Sequence, residues 1–572
     1  MENNEALFRN SVWSHDNGDI SLHSLDQLDV SWTDSSDDMM YSTRDPVSKF
    51  SADSEDDDEN LLFITICIAH LCAQAGIGQT LPIIKGLGSR FRVVNANTLS
   101  PSIAAYAVAV GTFILVASRL GEAFGHKRIF IAGLLWSAIW PLIAGASFYS
   151  TRSLFIFSRA LQGLGAAFTL PTGLELLRAT NPTGIRKTVL FTVYAAMPPI
   201  GLILGALVAS SFVTLAWWPW TYWAHSMTLT VVGAASFFTI PPAPQSRSLP
   251  SGASAIILRL DIPGMVTGTM SLGLFGFAWC QAHVVGWHHS YIWIIIVMSI
   301  VLAGLFVMIE GCYAPKPLIP YSALSSEVFW ILVAVGCGWS CFGIWIFYGW
   351  QLVGRLRSTP ALLTTAYFSP IVVIGCVATV ASRCILMRSR PHVVFCVAML
   401  AMMIGGVLIS TMPRQQTYWG QPFLSIIAMA WGAYMSVPVA TFRISRAVRK
   451  THAGIAESLV WMVTYYGVGL GLGVAGTIET KAMGGKLTAQ HRLRGYRAAF
   501  WTSVGFAVFG LVVLDGLACG EEALLRRLTT ERGIEKGVEI ELEEDDRKST
   551  TRKSETRSSH VKVPSPPAWQ GT

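Results

Sequence analysis

The amino-acid sequence predicts an all-α integral membrane protein with fourteen transmembrane helices, and three observations lead there. Hydrophobic residues make up 52% of the 572 and charged residues only 13%, about half the share of a soluble globular chain. The charges are sorted along the chain rather than mixed: residues 1–60 hold sixteen Asp/Glu against three Lys/Arg, residues 61–520 eight against twenty-nine, and residues 521–572 eleven against ten. Within the middle block, apolar runs recur fourteen times, each near the roughly 20 residues that cross a hydrocarbon core about 30 Å thick.

The basic residues of that block fall almost wholly in the breaks between runs, as loops facing lipid headgroups require. No folded basic domain remains for a nucleic acid to bind. The ten cysteines are scattered without a CxxC pair, which argues against a zinc site or a secreted disulfide framework; no metal is expected. Segment 1–60 is acidic and Ser-rich, with too little apolar surface to offset its chain entropy. It is expected to be a disordered cytoplasmic tail, with the first span serving as an uncleaved anchor. Residues 521–572 are expected to form a second cytoplasmic tail that opens as a short charged helix through EEALLRRLTTERG.

Taken in order, the spans are expected at 61–81, 103–119, 129–147, 154–177, 188–211, 218–240, 262–281, 291–310, 329–350, 361–382, 392–411, 422–441, 455–477 and 498–518. Span one carries two amides, Gln74 and Gln79. Span two ends in SRLGEAFGHKR, where Gly121 and Gly125 allow a tight turn and Arg119, Lys127 and Arg128 hold it at the inner face. Span four contains Arg159 about five residues, or roughly 8 Å along a helix, from its outer end. An arginine at such a depth costs on the order of 3 kcal/mol or more, so its guanidinium should face the bundle interior. Gln162 and Gly163 follow it. Span five has a small-xxx-small pair, Gly201 and Gly205, permitting close helix contact. Span six opens with WWPWTYW, whose Trp218, Trp220 and Trp223 read as an interface belt. Between spans seven and eight, His283, His288 and His289 read as surface histidines without the further ligands a metal needs. Span nine offers Trp345 and Tyr348, with Cys337 and Cys341 packed on one face. Span thirteen is Gly-rich around Gly469 and carries Glu457, Trp461, Tyr465 and Tyr466.

An even number of spans puts both tails on one side. Placing them in the cytoplasm gives inner loops sixteen Lys/Arg against twelve outside, five of the twelve lying in the loop before span fourteen; the bias favours this orientation. There is also an internal echo. ASRLGEAFGHKRIFIAG at Ala117 is matched by ASRCILMRSRPHVVFCV at Ala381, each ending one span, turning through a basic loop and entering the next. The same offset of 264 residues lays Gly205 on Gly469. Repeated halves of this kind mark transporters. They divide the chain into an N-terminal six-helix bundle at 61–240, an inserted pair with its flanking loops at 241–328, and a C-terminal six-helix bundle at 329–520.

These motifs resemble the major facilitator superfamily, in its fourteen-span drug:proton antiporter branch. The signature after the second span, G-x-L-a-D-r-x-G-r-K, is matched by Leu120, Gly125 and Lys127, with Glu122 replacing the Asp and Ser118 standing at the first Gly. The span-four pattern R-x-x-Q-G is intact as Arg159, Gln162 and Gly163. Of the span-five pattern G-P-x-x-G-G only Gly201 and Gly205 survive. AQAGIGQTLPI, LWSAIWPLIAGAS and WWPWTYW look most like the fungal aminotriazole-resistance and boron-efflux group.

The resemblance implies the major facilitator fold, alternating access, and efflux of a small organic compound, drug, weak acid or secondary metabolite in exchange for protons. It gives Arg159 a part in proton transfer, which for a side chain that does not deprotonate means tuning an acid or binding substrate. It makes Glu122 a latch between the N-terminal bundle and a neighbouring helix, so neutralising Glu122 should disturb transport and neutralising Arg388 much less. The branch often has an Asp in span one, where this chain has Gln74 and Gln79, neither of which takes up a proton. Among the eight acids of the middle block, Glu122 is in a loop, Asp261, Glu310 and Glu327 lie at span ends, and Glu479 is near an outer end. Glu175, Glu457 and Asp515 lie inside spans, and Glu457 is the expected carrier because its span is Gly-rich and suited to close contact. Gln74, Gln79 and Gln162, with Trp345, Tyr348, Trp461, Tyr465 and Tyr466, are expected to line a cavity in which a few polar groups orient an apolar ligand.

No Walker-type nucleotide cradle appears, nor a nucleophile with a base at recognisable spacing, so neither a cofactor nor enzymatic chemistry is expected. The expected surroundings are a bilayer, a small-molecule substrate and protons, with the chain a monomer in the plasma membrane or, failing that, the vacuolar membrane. Two other readings stand beside efflux: a facilitator or low-affinity importer of a small solute such as ammonium or boric acid, and a membrane sensor that binds ligand without turnover.

Overall fold

The computed structural model describes residues 46–180, 185–241, 260–313, 317–319, 325–413, 415–448, 453–486 and 488–517. Among them there are helices and no strand. The tails 1–45 and 518–572, including the helix expected through EEALLRRLTTERG, lie outside the described residues.

Fourteen helices have the length to span a bilayer: α1 Glu59–Arg90, α2 Ala96–Phe124, α3 His126–Tyr149, α4 Arg152–Thr180, α5 Val189–Leu215, α6 Pro219–Thr239, α7 Ile262–Val285, α8 Ser290–Cys312, α9 Ser326–Leu356, α10 Ala361–Leu386, α11 Pro391–Thr411, α12 Gln421–Ala447, α13 Gly454–Met483 and α14 Ala489–Leu517. Twelve are also apolar enough to cross a membrane by composition alone. The other two, α6 and α7, are 21 and 24 residues long and less apolar. The helical membrane architecture read from the sequence is therefore the one observed.

The ends differ from expectation in a consistent direction: helices run on past the apolar core. The helix that contains the start of α1 begins at Pro46, so residues 46–60 are helical where a disordered tail was expected. A proline suits a first helical turn, whose N–H is unpaired anyway, and extending an existing helix adds one hydrogen bond for each residue fixed. At its other end α1 continues to Arg90 after a break between Gly78 and Thr80. The break sits where α1 meets α5, because a Cβ on Gly78 would fall 1.8 Å from the Leu202 carbonyl oxygen.

Close approach recurs along that contact. A Cβ at Gly201 would lie 2.5 Å from the Leu71 carbonyl oxygen, and one at Gly205 would lie 2.4 Å from that of Ala75. Gly163 brings α4 equally near the Tyr106 carbonyl oxygen on α2, while Gly469 brings α13 against Val108 on α2. Backbone rather than side chain blocks the space at Gly205, so Gly205→Leu is expected to destabilise the protein by about 1–3 kcal/mol. A thermal-stability measurement in detergent checks this, and an unchanged midpoint would show that α5 can slide off α1 freely.

Helices α1–α6 pack among themselves, as do α9–α13. The two groups meet along two seams, α2 with α13 and α5 with α10. Helix α7 lies across the first seam, touching both α2 and α13, and α8 packs on α7. On α8, Trp293, Ile294, Val297, Ile300 and Val301 are exposed, a surface that suits lipid, where every backbone polar group is already bonded within the helix.

Candidate functional site

A cavity lies between the two groups of helices. Its wall is mostly aromatic and aliphatic: Trp339, Phe342 and Phe347 from α9, Tyr434 from α12, Trp461 and Tyr465 from α13, with Ile77, Leu81, Ile103 and Leu202 opposite. No charged residue lines it. Its polar side chains are Gln74, Thr464 and the tyrosines; Gln74 Nε2 donates to the Tyr465 hydroxyl at 2.6 Å, linking α1 to α13. One turn away, His70 Nε2 is 3.3 Å from the same amide nitrogen, and its ring lies tilted 4.3 Å from that of Tyr194 and edge-on 5.8 Å from that of Trp461.

Of the residues expected to line a cavity, Gln74, Trp461 and Tyr465 do so; the others are elsewhere. Gln79 is buried at the break in α1. Trp345 donates to Ser425 Oγ at 2.8 Å within the C-terminal group, and Tyr466 donates to the Leu272 carbonyl of α7 at 2.7 Å. Gln162 lines a second, smaller cavity inside the N-terminal group, with Tyr106, Ser137, Thr169 and His225. Two further readings are corrected. Trp218 is buried against Phe155 and Tyr222 rather than in an interface belt. His283 is buried, with Nε2 3.0 Å from Ser100 Oγ, whereas His288 and His289 are exposed. His70 was not singled out at all, since one histidine within an apolar run carries no sign of the face it occupies.

Arg159 is fully buried, at 0% exposure, and does not snorkel to an interface. Its Nε donates to the Ser102 carbonyl of α2 at 3.3 Å, and its two terminal nitrogens donate to the Gly76 carbonyl of α1 and to Gln162. The guanidinium carbon also lies 4.6 Å from the Tyr106 ring centre and 5.6 Å from that of Tyr222. Four helices therefore converge on one cation, and its ion pair is replaced by carbonyl oxygens and ring faces. No acid pairs with Arg159 among the described residues.

Towards the end where α1 begins, the inner end in the orientation read from loop charge, Arg178 on α4 bonds both Glu175 on its own helix and Glu457 on α13. Glu457 is thus part of a cross-seam ion triad, away from the central cavity. The turn after α2 lies on the same side. Gly125 adopts φ +96 with open space around it, so glycine is required there by backbone conformation. Lys127 Nζ donates to the carbonyls of Phe237 and Ile240, capping the end of α6, where the helix dipole favours a cation. A Cβ on Gly121 would meet the His126 ring at 2.5 Å.

Glu122 was expected to reach a neighbouring helix, but it is 50% exposed and pairs with Arg119 on its own helix at 3.2 Å. Arg119 makes the outward contact, donating to the Pro317 carbonyl in the segment after α8. Arg119→Ala is consequently expected to reduce transport several-fold, as a charge-assisted bond worth about 1.5–3 kcal/mol allows, and Glu122→Gln to have less effect. Parallel flux measurements rank the two, and equal losses would restore Glu122 as the contact that matters.

At the opposite, outer end, Asn97 Nδ2 donates to the Gly476 carbonyl at 2.8 Å and to Thr480 Oγ1 at 3.1 Å, joining the start of α2 to α13. The Tyr348 hydroxyl donates to Glu479 Oε2 at 2.9 Å and lies 3.4 Å from Asn97 Oδ1. The central cavity is therefore bounded by cross-seam polar contacts at both ends. A different cluster, His392, Cys396 and Asp515, gathers three potential metal ligands on α11 and α14. Arg443 NH1 sits 3.4 Å from His392 Nδ1. If that nitrogen accepts from the guanidinium, the proton is on Nε2, the one that faces Cys396, which opposes coordination there.

Comparison with known proteins is consistent with this geometry. Residues 62–473 match the family described as Major Facilitator Superfamily. The chain is 41% identical over 448 residues to a low affinity ammonium transporter of Saccharomyces cerevisiae, covering 78% of this chain and 86% of that one. It is 38% identical over 456 residues to the efflux pump terJ of Aspergillus terreus (80% and 87% covered) and 31% identical over 475 residues to the aminotriazole resistance protein of S. cerevisiae (81% and 86%). Among solved structures, the human organic anion transporter MFSD10 superposes with a TM-score of 0.54 at 14% identity, covering 80% of this chain and 99% of that one. A POT peptide transporter in complex with sulfate gives 0.57 at 13%, covering 80% and 94%; at such identity these two speak for the fold. Two groups of helices around one cavity, the matched motifs and relatives of this length together make the chain a member of the major facilitator superfamily and a membrane transporter of small substrates.

Proposed function

We propose that this transporter exports a small, largely apolar organic compound across the plasma membrane in exchange for protons, working as a monomer with both tails in the cytoplasm. The supporting observation is the central wall: aromatic rings with one bonded amide and no charge, a chemistry that holds an apolar ligand and orients it through few polar groups. Alternating access then consists of breaking the inner triad or the outer Asn97 contacts while the other stays closed. Arg159 ties the N-terminal helices into one rigid body, and Glu457 serves the inner closure. Purified protein in liposomes with an imposed pH gradient tests the proposal; substrate flux indifferent to the gradient would rule out antiport.

A second reading, a facilitator of ammonium or another small solute, is favoured by the 41% identical ammonium transporter. Ring faces accept an ammonium ion at about 0.5–2 kcal/mol each. Uptake of radiolabelled methylammonium by the same liposomes separates the two, since a cavity built for an organic compound gives no saturable uptake of it.

A further inference from the structure

Among the described acids, Glu479 is the one with no exposure at all, at 0%. It lies on α13, four residues before Met483 at the outer end of that helix. The phenol of Tyr348 donates to one oxygen, and the other, Oε1, has no hydrogen-bond partner. No ion pair forms with it among the described residues; the guanidiniums of Arg355 on α9 and Arg492 on α14 act on it from farther away. Tyr348 on α9 and Tyr496 on α14 are titratable neighbours of it among the described residues. From α2, uncharged Asn97 reaches the same phenol at 3.4 Å, and behind Asn97 stands His283 of α7, whose Nε2 is 3.4 Å from the Asn97 carbonyl oxygen.

A buried carboxylate with one oxygen orphaned and no paired cation is among the costlier arrangements a protein can hold, whereas the neutral acid is tolerated. Resting on the proton-coupled reading above, we propose that Glu479 is the proton-binding residue of the outer gate, and that a proton taken from the outer medium onto its free oxygen closes that gate. The neutral acid accepts from Tyr348 through Oε2 and carries the proton on Oε1. Tyr348 in turn stays beside Asn97, whose amide holds Gly476 and Thr480, so α2, α9 and α13 remain joined. Loss of the proton to the outer medium leaves an anion drawn towards water and towards Arg355 and Arg492. The phenol bonds an anion well, so the contact parts only as the desolvated carboxylate swings out to water, and the Asn97 contacts part with it. The closed form binds one more proton than the open form, so outer opening rises as external pH rises.

Ile103 lines the central cavity from α2 and reports outer opening. The experiment labels Ile103→Cys in the full-length protein in sealed membranes with an impermeant maleimide from outside. Its rate is divided by that of the exposed reference Val94→Cys, which removes the pH dependence of the thiol itself. Between about pH 5.5 and about pH 8.5 the ratio is expected to rise roughly tenfold, within the limit for one proton of tenfold per pH unit. Adding Glu479→Gln should hold it at its acid level throughout, while Glu479→Asp should keep a response. A flat ratio in Ile103→Cys, or an undiminished response with Glu479→Gln, overturns the proposal. If Glu479→Gln does not reach the membrane, Tyr348→Phe must move the midpoint of the response, and an unmoved midpoint likewise overturns it. Flux that ignores the pH gradient would sink antiport and leave this labelling result standing. pH-driven flux with flat labelling would instead remove the gate and spare antiport.

Discussion

Arg159→Ala is expected to lower transport at least about 100-fold at equal surface abundance, with Arg159→Lys recovering little. The guanidinium bonds a carbonyl on α1, a carbonyl on α2 and Gln162 on α4, and lies over rings from α2 and α6. Truncation removes three bonds from a charged donor in a dry interior, each worth about 1.5–3 kcal/mol. A total on the order of 3 kcal/mol already corresponds to about a hundredfold in an equilibrium. Lysine has one compact charge and cannot serve divergent acceptors while stacking on a ring. Flux normalised to surface protein is the measurement. Normal flux would mean that the N-terminal helices hold together without this centre.

The second large effect is expected at the inner end. Arg178 binds Glu175 and Glu457 together, and its removal leaves two acids facing each other across the seam. The groups are partly exposed, with side-chain exposures of 28%, 28% and 17%, so the contribution is placed between that of a surface pair and a buried one, about 1–3 kcal/mol. Arg178→Ala should accordingly shift the protein towards inner opening by roughly tenfold or more. Thr464, on the cavity wall, provides the reporter. Thr464→Cys labelled from the cytoplasmic side should react faster in the Arg178→Ala background and at the parental rate with Arg178→Lys. Equal rates in all three would show that Glu457 has no part in closing the inner end.

What could be read from the sequence was whatever the bilayer prices heavily. Fourteen apolar runs follow from the length of a span, and Arg159 stood out because a cation at that depth has few affordable positions. The ends of helices were harder, because α1 runs beyond its apolar stretch at both ends, through residues that cost nothing outside the hydrocarbon. Partners across the seams were not legible. Glu479 and Glu457 look alike in a chain read one residue at a time, and what distinguishes them is a phenol on α9 and a guanidinium on α4, each more than a hundred positions away. His283 and Trp218 were misjudged for the same reason: each stands beside a span end, and only packing decides whether such a place is wet. The cavity wall was half visible. Tyr465 and Trp461 drew notice beside a candidate acid, while Trp339, Phe342 and Tyr434 passed as ordinary core aromatics.

The position of α7 has a consequence for how a fat-soluble compound meets the central cavity. In a bundle of twelve helices with two seams, a molecule dissolved in the leaflet has two doorways. Here α7, backed by α8, covers the α2/α13 seam; Tyr466 of α13 bonds α7, and Trp287 in the turn between α7 and α8 bonds Thr477 of α13. The α5/α10 seam is closed by direct packing of the two helices, with Ser210 Oγ 2.6 Å from Thr365 Oγ1. A fat-soluble molecule in the leaflet therefore meets two covering helices, rather than a bare joint, along the α2/α13 flank of the cavity.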